Sequence, residues 1–324
     1  MRSPDFWRGD GWLPTVLAPA AAAFNGAGRL RRHLTRPYQA AVPVVCIGNL
    51  VVGGAGKTPL TLALAAELTA QGLRPHLLTR GYGGRERGPL RVDPAIHDAD
   101  MVGDEALLLA QAAPTWIAAD RAAGAAVAAA ECDVILMDDG LQNPTLRRDL
   151  ALLVIDGGYG FGNGRVMPAG PLREALAPGL GRVQAAILIG EDRHGTAERL
   201  AGLPLARARL QPVPTARSLA GTRVLGFAGI GRPEKFFETL RMLDADIVAT
   251  KAFPDHHRYG AIETANLIDQ AAALNAVAVT TTKDWVRLPP TCRDLIRVVP
   301  VELVWQGPAD RAIVLDSIGR LLGG

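Results

Sequence analysis

Three cysteines in 324 residues, Cys46, Cys132 and Cys292, are too few and too scattered for a disulfide framework or a cysteine metal site. They read as reduced thiols of a cytosolic protein. The apolar stretch near the N-terminus falls well short of the ~20 residues that a membrane span requires. It also precedes its arginines, whereas a signal peptide places its positive region first. A formal net charge of +3 is too small to point to nucleic acid. Internal repeats and low-complexity tracts are missing, so neither a repeat array nor a disordered chain is indicated. What remains is a chain that is 48% hydrophobic and 21% charged, a balance that builds a globular core. Its length suggests about two domains.

The stretch that organises the chain runs from Val44 to Pro59. The apolar run Val44-Val45-Cys46-Ile47 ends in a glycine-rich turn, Gly53-Gly54-Ala55-Gly56-Lys57-Thr58, and an Ala/Leu-rich segment follows. That order is strand, phosphate loop, helix. Glycines let successive N–H groups point at phosphate oxygens, and the helix directs its positive end at them. Lys57 would neutralise the outer phosphates, and the Thr58 hydroxyl would hold Mg²⁺. Here too something is lacking. The strict loop pattern needs glycine at 51, and the variant of regulatory and maturation ATPases needs lysine at 52; this chain has Val51 and Val52.

Around this loop, short apolar strands alternate with helices, which predicts an α/β fold with a parallel sheet covered on both faces. The expected strands include Val42–Gly48, Arg74–Thr79, Asp133–Met137, Leu150–Ile155 and Ala185–Ile189. A Pro- and Arg-rich boundary at 203–217 precedes a second, smaller α/β unit. The division is therefore an N-terminal segment 1–40, a phosphate-loop domain 41–205 and a smaller domain 206–304. Strands Ala206–Val213 and Ile296–Val304 are expected to join the two domains, with the last helix, within 305–324, packing back on the first. In residues 1–40, Trp7, Trp12, Leu13, Val16, Leu17 and Phe24 precede Arg29, Arg31, Arg32, His33 and Arg36. Two readings fit: a helix capping the core, or a segment lying in a membrane interface with aromatics in lipid and arginines at head groups.

Four further places carry candidate chemistry. Val134-Ile135-Leu136-Met137-Asp138-Asp139-Gly140 ends an apolar strand in carboxylates, which is the Mg²⁺ side of phosphate-loop enzymes or a simple turn cap. Asp104 and Glu105 open a helix, as dipole partners or as acceptors of a hydroxyl proton. Gly162-Asn163-Gly164 and Pro168–Glu174 form a loop delivering Arg173 and Glu174, a phosphate-directed pair or a surface salt bridge. Phe253-Pro254-Asp255-His256-His257 is either a polar turn or a histidine reaching across a cleft.

Taken together, these segments resemble the tetraacyldisaccharide 4′-kinase family from about residue 6 to the C-terminus. The carrying motifs also include Arg80-Gly81-Tyr82-Gly83-Gly84, Val102-Gly103-Asp104-Glu105, Asp138-Asp139-Gly140-Leu141-Gln142, Asp255-His256 and Thr281-Thr282-Lys283-Asp284. The irregular loop with Val51 looks typical of that family. The resemblance implies transfer of the ATP γ-phosphate to the 4′-hydroxyl of a tetraacyl glucosamine disaccharide 1-phosphate in lipid A biosynthesis. It also implies two α/β domains joined by a two-stranded linker. By motif position, Gly53 to Thr58 bind ATP, and Thr58, Asp138, Asp139 and Glu174 serve Mg²⁺. Asp104 is the implied base with His256 as partner, and Lys57 and Arg173 act on the phosphates. A lipid acceptor places the chain at the cytoplasmic face of the inner membrane as a peripheral protein. Asn143, where the family often has His, and Ala175, where it often has Pro, depart from the pattern, and the choice between His256 and His257 stays open. The other readings weighed are a switch or maturation ATPase acting on a protein partner, and a soluble small-molecule kinase.

Overall fold

The computed structural model describes residues 4–9, 11–200 and 202–323. Residues 1–3 and 10 of the N-terminal segment lie outside the described residues. The chain opens with helices α1 (Trp12–Val16) and α2 (Ala18–Leu34). Strands β1 (Val44–Gly48), β2 (Pro75–Thr79), β3 (Leu90–Arg91), β4 (Thr115–Ile117), β5 (Val134–Asp138), β6 (Leu150–Asp156), β7 (Ala185–Ile189) and β8 (Leu205–Pro212) follow. Interleaved with them are α3 (Lys57–Ala70), α4 (Ala99–Val102), α5 (Asp104–Ala110), α6 (Arg121–Ala128) and α7 (Leu176–Leu180). The chain then makes β9 (Arg223–Ala228), α8 (Pro233–Met242), β10 (Asp246–Ala252), α9 (Ala261–Ala273), β11 (Val277–Thr281), α10 (Thr282–Trp285) and β12 (Arg297–Val299). It closes with β13 (Val301–Trp305) and α11 (Pro308–Leu322).

The strands form two sheets. The larger has nine strands in the order β13-β8-β7-β6-β1-β5-β2-β4-β3, and the smaller has four in the order β10-β9-β11-β12. In the larger sheet every pairing from β8 across to β4 is parallel, and the edge strands β13 and β3 run antiparallel. All residues of β1, β2, β5, β6 and β7 are buried, as continuous apolar strands covered on both faces must be. The helix after the phosphate loop is placed by one stripe. Leu60, Leu64 and Leu68 recur every fourth residue on α3 and are buried. Each contributes about 1.5–3 kcal/mol of apolar burial. Gln71 ends the helix, and Gly72 at φ 82° turns the chain out of it.

The parallel arrangement places the C-terminal ends of β1 and β5 side by side, with Ile47 opposite Asp138. The phosphate loop leaves β1 at the edge where β5 delivers its carboxylates, the position at which open parallel sheets bind ligands. Between the sheets, β8 leads out and β13 returns, paired antiparallel with Leu210 opposite Leu303. The expected single strand Ile296–Val304 is in fact two strands in different sheets. Pro300 separates them: it has no N–H to continue a ladder, and its carbonyl accepts the Val213 amide at 3.1 Å. β12 therefore stays with β11, and β13 alone crosses to β8.

The last helix packs on the larger sheet, where Val314 and Ile318 are fully buried in the layer that also holds Leu60 and Leu64. Asp310 accepts the Arg207 amide at 2.7 Å and pins the start of α11 to β8. Because Ile318 fills a closed apolar layer, Ile318→Ala should lower unfolding free energy by about 2–5 kcal/mol. Urea titration of the full chain measures it; a loss under about 1 kcal/mol would mean that α11 is not part of this core.

Candidate functional site

The phosphate loop turns where glycine is required. Gly53 has φ 113° and Gly56 has φ 90°, both in the left-handed region. A Cβ on Gly56 would also lie 2.6 Å from Ile189 Cδ1. The unusual Val51 and Val52 have a structural explanation. The Val52 amide donates to the Pro171 carbonyl at 2.9 Å, the Arg173 amide donates to the Leu50 carbonyl at 2.8 Å, and Val51 bridges Leu172. The residues before the loop are thus a short strand laced to the Pro171-Leu172-Arg173 segment. Val51, 5% exposed, packs in the core. That lacing brings the Arg173 side chain to the loop.

Lys57 and Thr58 open α3 beside the two β5 carboxylates. Lys57 Nζ lies 3.5 Å from Asp139 Oδ1, and the Thr58 hydroxyl donates to Asp138 Oδ2 at 3.4 Å. Arg173 Nη1 donates to Asp139 Oδ1 at 2.9 Å and Oδ2 at 3.1 Å. Asp139 sits at φ 53°, a turn that swings its carboxylate toward these cations. Burial opposes ionisation of Asp139, but Lys57 and Arg173 outweigh it and hold its carboxyl below the usual range. Asp138 behaves oppositely. Its complete burial, with Glu105 nearby, pushes its carboxyl up to about 7 despite Lys57. Its Oδ1 is buried and makes no hydrogen bond.

These features fit a divalent cation. An orphaned buried carboxylate oxygen beside a threonine hydroxyl is a hard oxygen donor set, and Mg²⁺ takes one or two protein oxygens plus phosphate and water. Among the described residues no cluster of three or more His, Cys, Asp or Glu side chains could hold a metal by itself.

Glu174 is placed elsewhere. It is 1% exposed; its Oε2 contacts Arg182 and lies 3.4 Å from Arg32 of α2, and its Oε1 accepts from Gln142 at 3.2 Å. Glu174, expected on the metal side, here has both oxygens engaged by cations and an amide. Asn143 caps its own turn, accepting from the Thr145 amide at 2.9 Å.

On the other flank of the loop, α5 begins at Asp104. Gly103, at φ 89°, seats this helix against Arg80-Gly81-Tyr82-Gly83-Gly84: a Cβ there would lie 2.4 Å from the Tyr82 carbonyl. Asp104 is 5% exposed, yet it is ionised by partners from the smaller sheet. His256 Nδ1 lies 3.1 Å from its Oδ2, and Arg287 Nε donates to the same oxygen at 2.6 Å. Oδ1 accepts only the Glu105 amide, at 2.9 Å. Burial raises the Asp104 pKa, but the His256 hydrogen bond and the charges of Lys283 and Arg287 overcome this and hold it well below the usual carboxylate range.

Beside this pair, Lys283 Nζ lies 2.9 Å from Glu105 Oε1 and 3.5 Å from His256 Nε2. Tyr82 packs edge-on against His256 with centroids 5.4 Å apart. His257 turns away, bonded to Glu263 at 2.7 Å and stacked on Phe253. Geometry therefore brings His256, and not His257, to Asp104.

The sheets meet at a second place. Lys235 Nζ donates to Asp156 Oδ2 at 2.6 Å, and Arg232 contacts the same carboxylate. Sequence reasoning missed Arg287, Lys283, Glu105 as its partner, and the Asp156 clasp. Lys283 lies within a quoted motif, but nothing in spacing says that Arg287 turns toward a carboxylate 183 residues away.

A model of the tetraacyldisaccharide-1-P 4′-kinase family matches residues 13–318. The tetraacyldisaccharide 4′-kinase of Rhodospirillum centenum is 56% identical over 330 residues, covering 99% of this chain and 96% of that protein. That of Gluconacetobacter diazotrophicus is 54% identical, covering 98% of each. The crystal structure of LpxK from Aquifex aeolicus in complex with ATP superposes with a TM-score of 0.78 at 25% identity, covering 96% of this chain and 99% of that one.

The Asp104 pairing makes a pH prediction. Its folded-state pKa lies below the unfolded value of about 3.9. The stabilisation is therefore present above that value and lost as pH falls through the folded pKa. In urea titrations from pH 7 to 3, the parent chain should lose stability on acidification more steeply than Asp104→Asn. Parallel pH slopes would refute the ionised pairing.

Proposed function

Since the chain belongs to the tetraacyldisaccharide-1-P 4′-kinase family, we propose specific roles for its cleft residues in the reaction of that family. The chain is a kinase of lipid A biosynthesis that transfers the γ-phosphoryl group of ATP to the 4′-hydroxyl of a tetraacylated disaccharide 1-phosphate. The Gly53–Thr58 backbone cradles the phosphates. Lys57 and Arg173 offset the charge that builds on the transferring group. Thr58 and Asp138 would hold Mg²⁺, which would supply charge neutralisation at the phosphates. Asp139 orients Lys57 and Arg173 toward the same oxygens.

One observation carries the assignment of the acceptor side: Asp104 is the buried, ionised carboxylate at which both sheets meet. Its Oδ2 is held by His256 and Arg287, which leaves Oδ1, bonded to the Glu105 amide, with a lone pair for the acceptor hydroxyl. A carboxylate with so low a pKa is a weak base. Phosphoryl transfer through a loose transition state tolerates this, since the hydroxyl proton leaves late and orientation supplies most of the effect. His256 holds the orientation and ties it to closure of the cleft, which excludes water.

The N-terminal segment is read as a membrane-interface element. Trp7 is buried, and its indole donates to the Pro168 carbonyl at 3.0 Å, which anchors the segment to the core. Beyond it, Trp12, Val16, Phe24, Leu30 and Leu34 are exposed along α1 and α2, with arginines at the far end. Among the described residues no helix is long and apolar enough to cross a membrane. This stripe therefore lies in the interface, at the cytoplasmic face of the inner membrane where a lipid acceptor is presented.

Two experiments test these roles. With labelled ATP and the lipid acceptor, Asp104→Asn should lower kcat by about 10²–10⁴-fold while ATP binding is retained; full activity would sink the assignment. In vesicle flotation with anionic lipid, Trp12→Glu combined with Phe24→Glu should abolish co-flotation at unchanged melting temperature. Unaltered flotation would remove the interface role.

A further inference from the structure

Glu174 is a buried carboxylate whose contacts are Arg182, Arg32 and Gln142. We propose that it is a positioning residue coupling the docking of helix α2 to the geometry of Arg173 and Asp139. The proposal rests on the reading that Arg173 and Asp139 act at the phosphates.

The connection is continuous. Arg32 of α2 lies 3.4 Å from Glu174 Oε2, and Asn25 of the same helix accepts the Ala175 amide at 3.1 Å. Glu174 Oε1 accepts from Gln142 Nε2 at 3.2 Å, and that amide also donates to the Asn49 carbonyl at 3.0 Å, just after β1. Asn49 in turn donates to the Gly53 carbonyl of the phosphate loop at 3.2 Å. The other end of the Gln142 amide accepts from Arg173 Nη1 at 3.4 Å, the same nitrogen that holds Asp139 at 2.9 Å. Arg31 of α2 closes the circuit, donating to the Gln142 backbone carbonyl at 3.2 Å.

Physical chemistry makes this arrangement directional. An amide has one donor end and one acceptor end. Gln142 presents its acceptor to Arg173 because its donor end is taken by Glu174 and Asn49. The orientation depends on Glu174 staying in place. A buried carboxylate needs its cations beside it to offset the lost hydration. Arg182 comes from the same lobe and is always present, but Arg32 comes from α2. When α2 is docked, the buried charge is fully compensated and the amide is fixed. When α2 is pulled away, one cation, the Asn25 clamp on Ala175 and the Arg31 bond to Gln142 are lost together. The helix that carries the exposed apolar stripe is thus mechanically connected to the guanidinium beside the phosphate loop. The enzyme transfers phosphate efficiently only with α2 seated.

The test uses the full chain, labelled ATP and the lipid acceptor. We expect Arg32→Ala and Glu174→Gln each to lower kcat by about 10-fold. KM for Mg-ATP and the Mg²⁺ concentration for half-activation should stay unchanged. The double variant should be no worse than Glu174→Gln alone, because both changes break one relay. Arg32→Lys, which keeps the charge, should recover most of the loss. A rise in the Mg²⁺ requirement for Glu174→Gln would instead make it a metal ligand and overturn the proposal. Additive effects would overturn it too, as would an Arg32→Ala effect confined to the acceptor KM. If Glu174→Gln fails to fold, Arg32→Ala and Asn25→Ala decide alone: reduced kcat at unchanged melting temperature supports the relay, unchanged kcat refutes it. Arg173→Ala separates the two levels. Full activity there sinks the underlying reading, whereas loss there with normal Arg32→Ala activity sinks the relay only.

Discussion

Asp104 is a carboxylate taken out of water at the mouth of the cleft, and its ionised form survives there only because His256 and Arg287 reach it from the other sheet. Much of the architecture serves that meeting. Gly103 and the Arg80–Gly84 loop give α5 its seat, with backbone contacts that leave no room for a Cβ. On the opposite side Arg287 is itself aimed by the fully buried Asp284, which also accepts from Tyr259 and the Gly229 amide. This ion pair joins the two lobes at Asp104. Lys283 with Glu105, and Asp156 with Lys235 and Arg232, add further ion pairs between the same two sheets.

The phosphate loop is organised on a different principle. Its glycines provide backbone freedom, but its position relative to Arg173 is set by main-chain pairing between Leu50–Val52 and Pro171–Arg173. Main-chain bonds fix register more firmly than side-chain contacts do. The loop and the arginine are therefore placed as one unit by the main chain.

Much of this was legible in one dimension. The alternation of short apolar runs with Ala- and Leu-rich helices gave the parallel sheet, since strands buried on both faces leave that pattern. The adjacency of the Gly-Lys-Thr loop and the Asp138-Asp139 pair followed from their places at strand ends. Motif order pointed to the family. Less legible were properties that depend on which residue faces which. Pro300 divides a run that reads as one strand, because the two halves pair with different neighbours. Glu174, next to Arg173 in sequence, points the other way: Arg173 turns to Asp139 while Glu174 turns to Arg182 and Arg32. His256 and His257 are equivalent as letters, and only the turn at φ 58° on His256 sends one to Asp104 and the other to Glu263.

By itself, the sequence determined what local chemistry can determine. It specified where the chain must turn, which faces must be buried, that a triphosphate binds after β1, and which family of kinases the motifs belong to. Tertiary structure decided how charges are shared. Whether a carboxylate is a base, a metal ligand or a brace depends on the cations that surround it. For Asp104, Asp139 and Glu174 those cations come from segments up to 183 residues away. Periodicity and motif spacing report backbone preference and burial, which are properties of neighbours along the chain. Electrostatic pairing is a property of neighbours in space, and it was written only when the two sheets came together.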